Sequence, residues 1–251
     1  NVNNIALNHS MERSETWYYI KNGTCTPTKG YTTEESYIGS KSIKLGVTGA
    51  TSGSRLRYRE MFTNSELVPG KTYTFSAYIK TKNLSPITAG KYGAGLIAYS
   101  YFEDGTSKAF YSDYISTSTD TSINNGWRRE TVTFTVPTNA TQTSINLLIR
   151  ESNGTAYFDA VQLEEGDVAN KYNLLENSSF ENSNGTYNYT SDNMTSSDGI
   201  VTTSIDGSKG YKITGDKDNY KWLIQEIPVS GSEDDTFFNV MMDEIKANED
   251  D

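Results

Sequence analysis

One histidine and one cysteine limit the nucleophilic and metal chemistry open to this chain. His9 alone excludes a paired-imidazole metal centre. Cys25 alone excludes an internal disulfide and a multi-cysteine cluster. No G-x-S-x-G, H-E-x-x-H or P-loop pattern occurs. The pairs Glu34-Glu35 and Glu103-Asp104 supply carboxylates, but a glycosidase needs two that face each other across a cleft, about 5–10 Å apart, and sequence neighbours seldom do so. On these residues the chain is expected not to be an enzyme.

The aromatic content points elsewhere, with 18 Tyr, 9 Phe and 3 Trp. Sugars bind by stacking their apolar faces on aromatic rings while guanidinium, amide and carboxylate groups bond the hydroxyls. Tyr58, Tyr78, Tyr99 and Tyr101, with Arg57, are the candidates for such a platform, and Trp17 is an alternative at a loop edge. Tyrosine also favours strands and cross-strand pairs for purely structural reasons, so both explanations stand at this point. The chain carries 22 Lys+Arg against 32 Asp+Glu, a net charge of −10. That balance predicts no nucleic-acid partner and no anionic membrane surface. No apolar run approaches the roughly 18 residues of a spanning helix. The start lacks a basic, then apolar leader, so any signal peptide is expected to have been removed or never included.

The elements that must position these residues read as strands. Lys71–Lys80 alternates strictly, with Tyr73, Phe75, Ala77 and Ile79 on one face and Thr72, Thr74, Ser76, Tyr78 and Lys80 on the other. Period two with one polar side predicts a half-buried antiparallel strand. Ser42–Val47, Arg55–Phe62, Ala94–Phe102, Lys108–Ile115, Arg128–Pro137, Ser144–Arg150 and Ala156–Leu163 follow the same grammar. Asp104-Gly105 and Asn153-Gly154 are read as hairpin turns. Only Phe238–Asn248 offers a helical pattern. The fold class is therefore all-β, an antiparallel sandwich or jelly roll.

The chain also repeats itself. Asn4-Ile-Ala-Leu-Asn8-His-Ser10-Met-Glu12 matches Asn173-Leu-Leu-Glu-Asn177-Ser-Ser179-Phe-Glu181, and Gly39-Ser-Lys-Ser-Ile-Lys44 matches Gly207-Ser-Lys-Gly-Tyr-Lys212 at nearly the same spacing. This predicts one complete module over 1–172 and the first part of a second copy over 173–251, ending in an acidic tail. His9 occupies a position where the second copy has Ser178, which argues against imidazole chemistry there.

The order N-x-L-x-N-x-S-φ-E, GSKSIKL, PGKTYTFSAYIKT, GWRRETVTFTVP and GTAYFDAVQLEEG resembles the jelly-roll, galactose-binding-like carbohydrate-binding modules appended to bacterial glycoside hydrolases. It is similar above all to the tandem modules of large YD-repeat (Rhs-like) wall-associated proteins. There VQLEEG of one copy runs into NLLENSSFE of the next, as Val161–Gly166 runs into Asn173–Glu181 here. Met11, where the family usually has Phe, and the segment 239–251 depart from its pattern. The resemblance implies a glycan-binding module of a secreted or cell-surface protein, with polysaccharide or cell-surface glycan and neighbouring repeat modules as partners and no membrane insertion. A spacer or adhesion module without a sugar site is the alternative. It also implies a structural Ca²⁺ held by Glu12 of the opening motif and Asp159 of the closing strand, whose hard oxygens suit that ion.

Overall fold

The structure is a computed structural model and describes residues 4–14, 16–119, 121–170, 175, 180, 189–202, 209–228 and 237–242. The chain separates into two compact units, Ile5–Tyr172 and Asn173–Asp251 together with Asn1–Asn4.

The first unit is an all-β sandwich. Its strands are β1 (Tyr18–Asn22), β2 (Thr26–Thr32), β3 (Ser42–Thr48), β4 (Arg55–Thr63), β5 (Thr72–Pro86), β6 (Ala94–Tyr101), β7 (Ser107–Tyr111), β8 (Arg128–Thr135), β9 (Gln142–Arg150) and β10 (Ser152–Glu165). The first sheet has the order β1-β4-β9-β6-β7 and the second β2-β3-β10-β5-β8, with every pairing antiparallel. Neighbours in each sheet are mostly non-consecutive in the chain, so successive strands cross between layers in the jelly-roll manner. The alternation read from the sequence builds the core. Tyr73, Phe75, Ala77 and Ile79 of β5 face Leu56 of β4, Leu96 of β6 and Ile145, Leu147 and Ile149 of β9, all within one buried apolar cluster. Burying a side chain of this size contributes about 1.5–3 kcal/mol.

Two local expectations are corrected. Asn153-Gly154 is not a hairpin turn. β9 lies in the first sheet and β10 in the second, and the chain changes layer at Glu151, whose φ is 43°. Gly154 sits inside β10 at a register break opposite β5, with φ 109°. A Cβ there would lie 2.4 Å from the Asn83 carbonyl oxygen, so this glycine answers a close backbone approach. Asp104-Gly105 does join a hairpin, β6 to β7, with Tyr101 opposite Ser107. The Trp17–Tyr19 segment, read as loop, leads into β1, an edge strand paired with β4.

The second unit contains β11 (Tyr189–Asp192), β12 (Gly199–Val201), β13 (Gly210–Lys212), β14 (Trp222–Pro228) and β15 (Phe237–Met242). β11, β14 and β15 form one antiparallel sheet, and β12 pairs with β13. The helix expected from Phe238 is a strand as far as Met242, and the remainder of that segment lies outside the described residues, as does the acidic tail. Asp198 accepts the Thr195 and Thr214 amides and pairs with Lys221 at 3.0 Å. Those donors hold its carboxyl well below the usual range.

Candidate functional site

The outer face of the first sheet is assembled by alternation. In β4, Leu56, Tyr58, Glu60 and Phe62 turn inward, which sends Arg55, Arg57, Arg59 and Met61 outward. In β9 the inward set Ile145, Leu147 and Ile149 leaves Ser144, Asn146, Leu148 and Arg150 outside. Register then aligns Tyr18, Arg59, Asn146, Ile97 and Tyr111 as one row across all five strands. With strands about 4.8 Å apart, that row spans roughly 19 Å. Its terminal tyrosines are open, Tyr18 at 68 % and Tyr111 at 46 %.

A small apolar floor separate from the core occupies the middle of this face. It consists of Ile97, Tyr99 and Leu148, with Tyr101, Ala109 and Tyr114 packed against it. The arginines lie along the floor. Arg55 Nη1 donates to Tyr99 Oη at 2.6 Å, and the Arg57 guanidinium sits 5.5 Å from the Tyr99 ring centre. Arg57 Nη2 donates to Asn22 Oδ1 at 3.0 Å, and Arg150 stacks 3.9 Å from the Tyr92 ring centre. The Tyr99 and Tyr101 rings are 6.1 Å apart, and the Tyr101 and Ser144 hydroxyls share a 3.2 Å hydrogen bond. Burial, and less strongly the Arg55 and Arg59 charges, lower the Arg57 pKa. Tyr99 is 8 % exposed and Ser144, Asn146, Ile97 and Leu148 are closed to solvent, so the groups this face can offer to a polyhydroxylated ring are the partly open Tyr101 and guanidiniums and the edge tyrosines Tyr18 and Tyr111, which supply stacking area and hydrogen bonds.

Among the residues expected to form a platform, the structure brings together Tyr99, Tyr101 and Arg57. It does not bring Tyr58, Tyr78 or Trp17 to them. Tyr58 is next to Arg57 in β4 and therefore faces the other way, into the core at 6 % exposure. Trp17 is also buried in that core, with Nε1 donating to the Leu7 carbonyl at 3.3 Å. Tyr78 belongs to the outer face of the second sheet, stacked on Tyr37 with ring centres 3.7 Å apart. Asn146, Tyr111 and Tyr114 were missed as site residues. For Asn146 the signal is present in the alternation of Ser144–Arg150.

Glu12 and Asp159 lie on the other side of the sandwich and fasten the 36–41 loop. Asp159 accepts the amides of Tyr37 (2.7 Å), Ile38 (3.1 Å) and Ala160 (2.6 Å). Glu12 accepts the Ser40 and Lys41 amides, both at 2.9 Å, and the Ser40 hydroxyl at 2.8 Å. Gly39, with φ 62°, makes room for this, since a Cβ there would lie 2.5 Å from Glu12 Oε1. Burial raises the Asp159 carboxyl well above the ordinary range, and the Glu12 charge adds to the rise. Among the described residues no third His, Cys, Asp or Glu joins them to form a cluster that could hold a metal.

No protein-family model matches the chain. Over 173 residues it is 28 % identical to the tRNA nuclease WapA of Bacillus subtilis (strain 168), covering 64 % of this chain and 7 % of that protein. Over 153 residues it is 29 % identical to the tRNA3(Ser)-specific nuclease WapA of Bacillus spizizenii, covering 57 % of this chain and 6 % of the relative. The chain thus spans less than a tenth of the curated relatives it matches. These relatives correct one expectation: the residue inventory predicted that the chain is not an enzyme, whereas proteins named as nucleases point to one. Among solved structures, the C-terminal family 22 carbohydrate-binding module of Clostridium thermocellum Xyn10B gives a TM-score of 0.47 at 16 % identity, covering 68 % of this chain and 95 % of that one. The CBM22-1 xylan-binding domain of Paenibacillus barcinonensis Xyn10C gives 0.45 at 16 %, covering 64 % and 94 %. The module TmCBM61, solved with β-1,4-galactotriose, gives 0.42 at 9 %, covering 65 % and 99 %. The YD-repeat setting finds no support in these matches. Among the described residues no helix is long and apolar enough to cross a membrane.

Proposed function

We propose that the first unit binds glycan on the outer face of its first sheet. The observation that carries this reading is the convergence of Tyr99, Tyr101, Arg55 and Arg57 over the apolar floor of Ile97 and Leu148, with open Tyr18 and Tyr111 at the two edges. A secreted or cell-surface parent protein, with further modules as neighbours, belongs to the same proposal. The nuclease activity named for the relatives is proposed only for a longer polypeptide that contains such a unit. Affinity electrophoresis through gels containing xylan, galactan or polygalacturonate tests the reading. Retardation of the wild type, lost in Tyr101→Ala and Tyr111→Ala, is expected. Free migration in every gel would leave the spacer reading in its place.

Calcium at Glu12 and Asp159 is part of the proposal. Each carboxylate already takes three donors. With about four acceptor positions per carboxylate, each retains roughly one for a cation. A bound cation would offset the mutual repulsion of the two charges. The thermal midpoint is expected to fall on adding EDTA and to recover with excess Ca²⁺, since an ion bound only by the folded state raises stability. An unchanged midpoint would remove calcium from the account.

A further inference from the structure

The charge on the proposed face runs opposite to that of the protein. The chain has ten more acidic than basic residues, with Lys+Arg 22 and Asp+Glu 32. The outward positions of the first sheet nevertheless hold Arg55, Arg57, Arg59 and Arg150 and no Asp or Glu. On the second sheet Lys44 pairs with Glu34, and Lys80 and Lys82 share Glu35. Among the described residues, Arg55, Arg57 and Arg59 pair with no carboxylate. Arg150, the fourth guanidinium of this face, has Glu151 3.5 Å from its Nε. Alternation sets the three β4 arginines about 7 Å apart along the strand. Three unneutralised guanidiniums in one row repel one another, and a folded protein keeps such a row at a cost unless an anion relieves it.

A second observation concerns the hydrogen bonds left open beneath the row. Asn146 is fully buried, and its Nδ2 is committed to the Ile97 carbonyl and to Ser144 Oγ. Its Oδ1 has no hydrogen-bond partner, and neither does Arg59 Nε, on the residue directly opposite it in β4, nor Arg57 Nε. Leaving buried polar atoms unpaired destabilises a fold, because each has given up its water without a replacement partner. The vacancies are two donors and one acceptor. An oxyanion satisfies guanidinium donors, and a hydroxyl beside it donates to the amide oxygen.

We infer that the face recognises an anionic glycan, a polymer whose sugar residues carry carboxylate or phosphodiester oxygens next to free hydroxyls. The inference rests on the glycan-binding reading above and narrows it. A nucleic acid also brings oxyanions and aromatic faces. The open acceptor calls for a hydroxyl close to the anion, which DNA lacks and which RNA and glycan both carry. Glycan is favoured over RNA because the Arg55 and Arg57 guanidiniums are held down on the sheet by Tyr99 and Asn22 and do not project as a phosphate-tracking fringe.

The test is one binding series with the full chain at 50 and 500 mM NaCl. The probes are polygalacturonate (carboxylate), a phosphodiester-bearing mannan (phosphate), neutral xylan and galactan, and unfractionated tRNA. The expected result is tighter binding to one or both anionic glycans than to the neutral ones. That affinity should fall about tenfold or more in high salt and by a similar factor in Arg57→Gln and Arg59→Gln. The two anionic probes distinguish carboxylate from phosphate. Arg57→Lys, which keeps the charge, should retain the salt dependence, and wild-type salt dependence decides the matter if a Gln variant fails to fold. Equal, salt-independent binding of xylan or galactan would overturn the anionic inference and leave the glycan reading standing. No binding to any glycan would overturn both. Retention of tRNA alone would overturn both and make the face a nucleic-acid interface.

Discussion

Glu60 stands on the inward side of β4, between Tyr58 and Phe62, at 4 % exposure. Its carboxyl accepts the Leu7 amide at 3.0 and 3.3 Å, and so ties the N-terminal segment to the sandwich. Burial raises its pKa well above the ordinary 4.5, and the Glu66 charge adds to the rise. In the unfolded chain Glu60 releases its proton near 4.5, while the folded protein keeps it to higher pH. Above that point the folded state binds more protons, so this residue's contribution to stability falls as pH rises towards the folded pKa. The limiting slope for one proton is about 1.4 kcal/mol per pH unit. For a unit of this size, with about 2–4 °C per kcal/mol, that is roughly 3–5 °C per pH unit. Glu60→Gln keeps an acceptor for Leu7 and cannot ionise. Thermal midpoints of wild type and variant, measured by circular dichroism from pH 5 upward, should diverge in favour of the variant until the folded pKa is reached. Glu60→Leu, which strands the Leu7 amide, should be about 1–3 kcal/mol less stable than Glu60→Gln at every pH, since neither variant ionises there. Parallel wild-type and Glu60→Gln curves would refute the reasoning, because no proton would then separate folded from unfolded.

Three other outcomes are expected. Tyr58→Ala should cost about 3 kcal/mol or more in urea unfolding and leave glycan retention by the folded fraction intact, the reverse of Tyr101→Ala. Full burial, and secondarily Arg13, holds the His9 pKa down at about 3. Its imidazole C2 proton should therefore show no NMR titration between pH 5 and 8, and a midpoint near 6.5 would contradict its burial. The same depression means that His9 withdraws stability as pH falls below about 6.5, since only the unfolded chain then takes up the proton. Gly154→Ala combines φ 109° with a 2.4 Å approach to the Asn83 oxygen. It should lower stability by about 1–3 kcal/mol, read as a lower thermal midpoint.

Much of the sandwich is legible because period two is a local signal. The strand Lys71–Lys80 states its buried and open faces residue by residue, and β4 and β9 do the same for the arginine row. The same rule, applied strictly, separates Arg57 from Tyr58, since adjacent strand residues point to opposite sides. Other features were hidden for physical reasons. β1 and β2 are edge strands with no clean alternation, and β2 contains Pro27 and Gly30. Asn153-Gly154 looks like a turn because its composition is that of a turn, whereas its glycine is required by a backbone carbonyl 71 positions away in sequence, that of Asn83. The row Tyr18–Arg59–Asn146–Ile97–Tyr111 depends on pairing between strands distant in the chain, which no local pattern encodes.

The Ile5 amide bonds the Leu163 carbonyl, and the Val161 amide bonds the His9 carbonyl, both at 2.8 Å. The beginning and end of the first unit therefore run beside each other in opposite directions. Tension along the polypeptide would pull on this seam from one end and open it bond by bond, as a zipper opens. The two sheets would carry little of that force until the seam had parted. The unit then adds little to the contour of a stretched chain. Under pulling it would hang to one side with its arginine face undistorted.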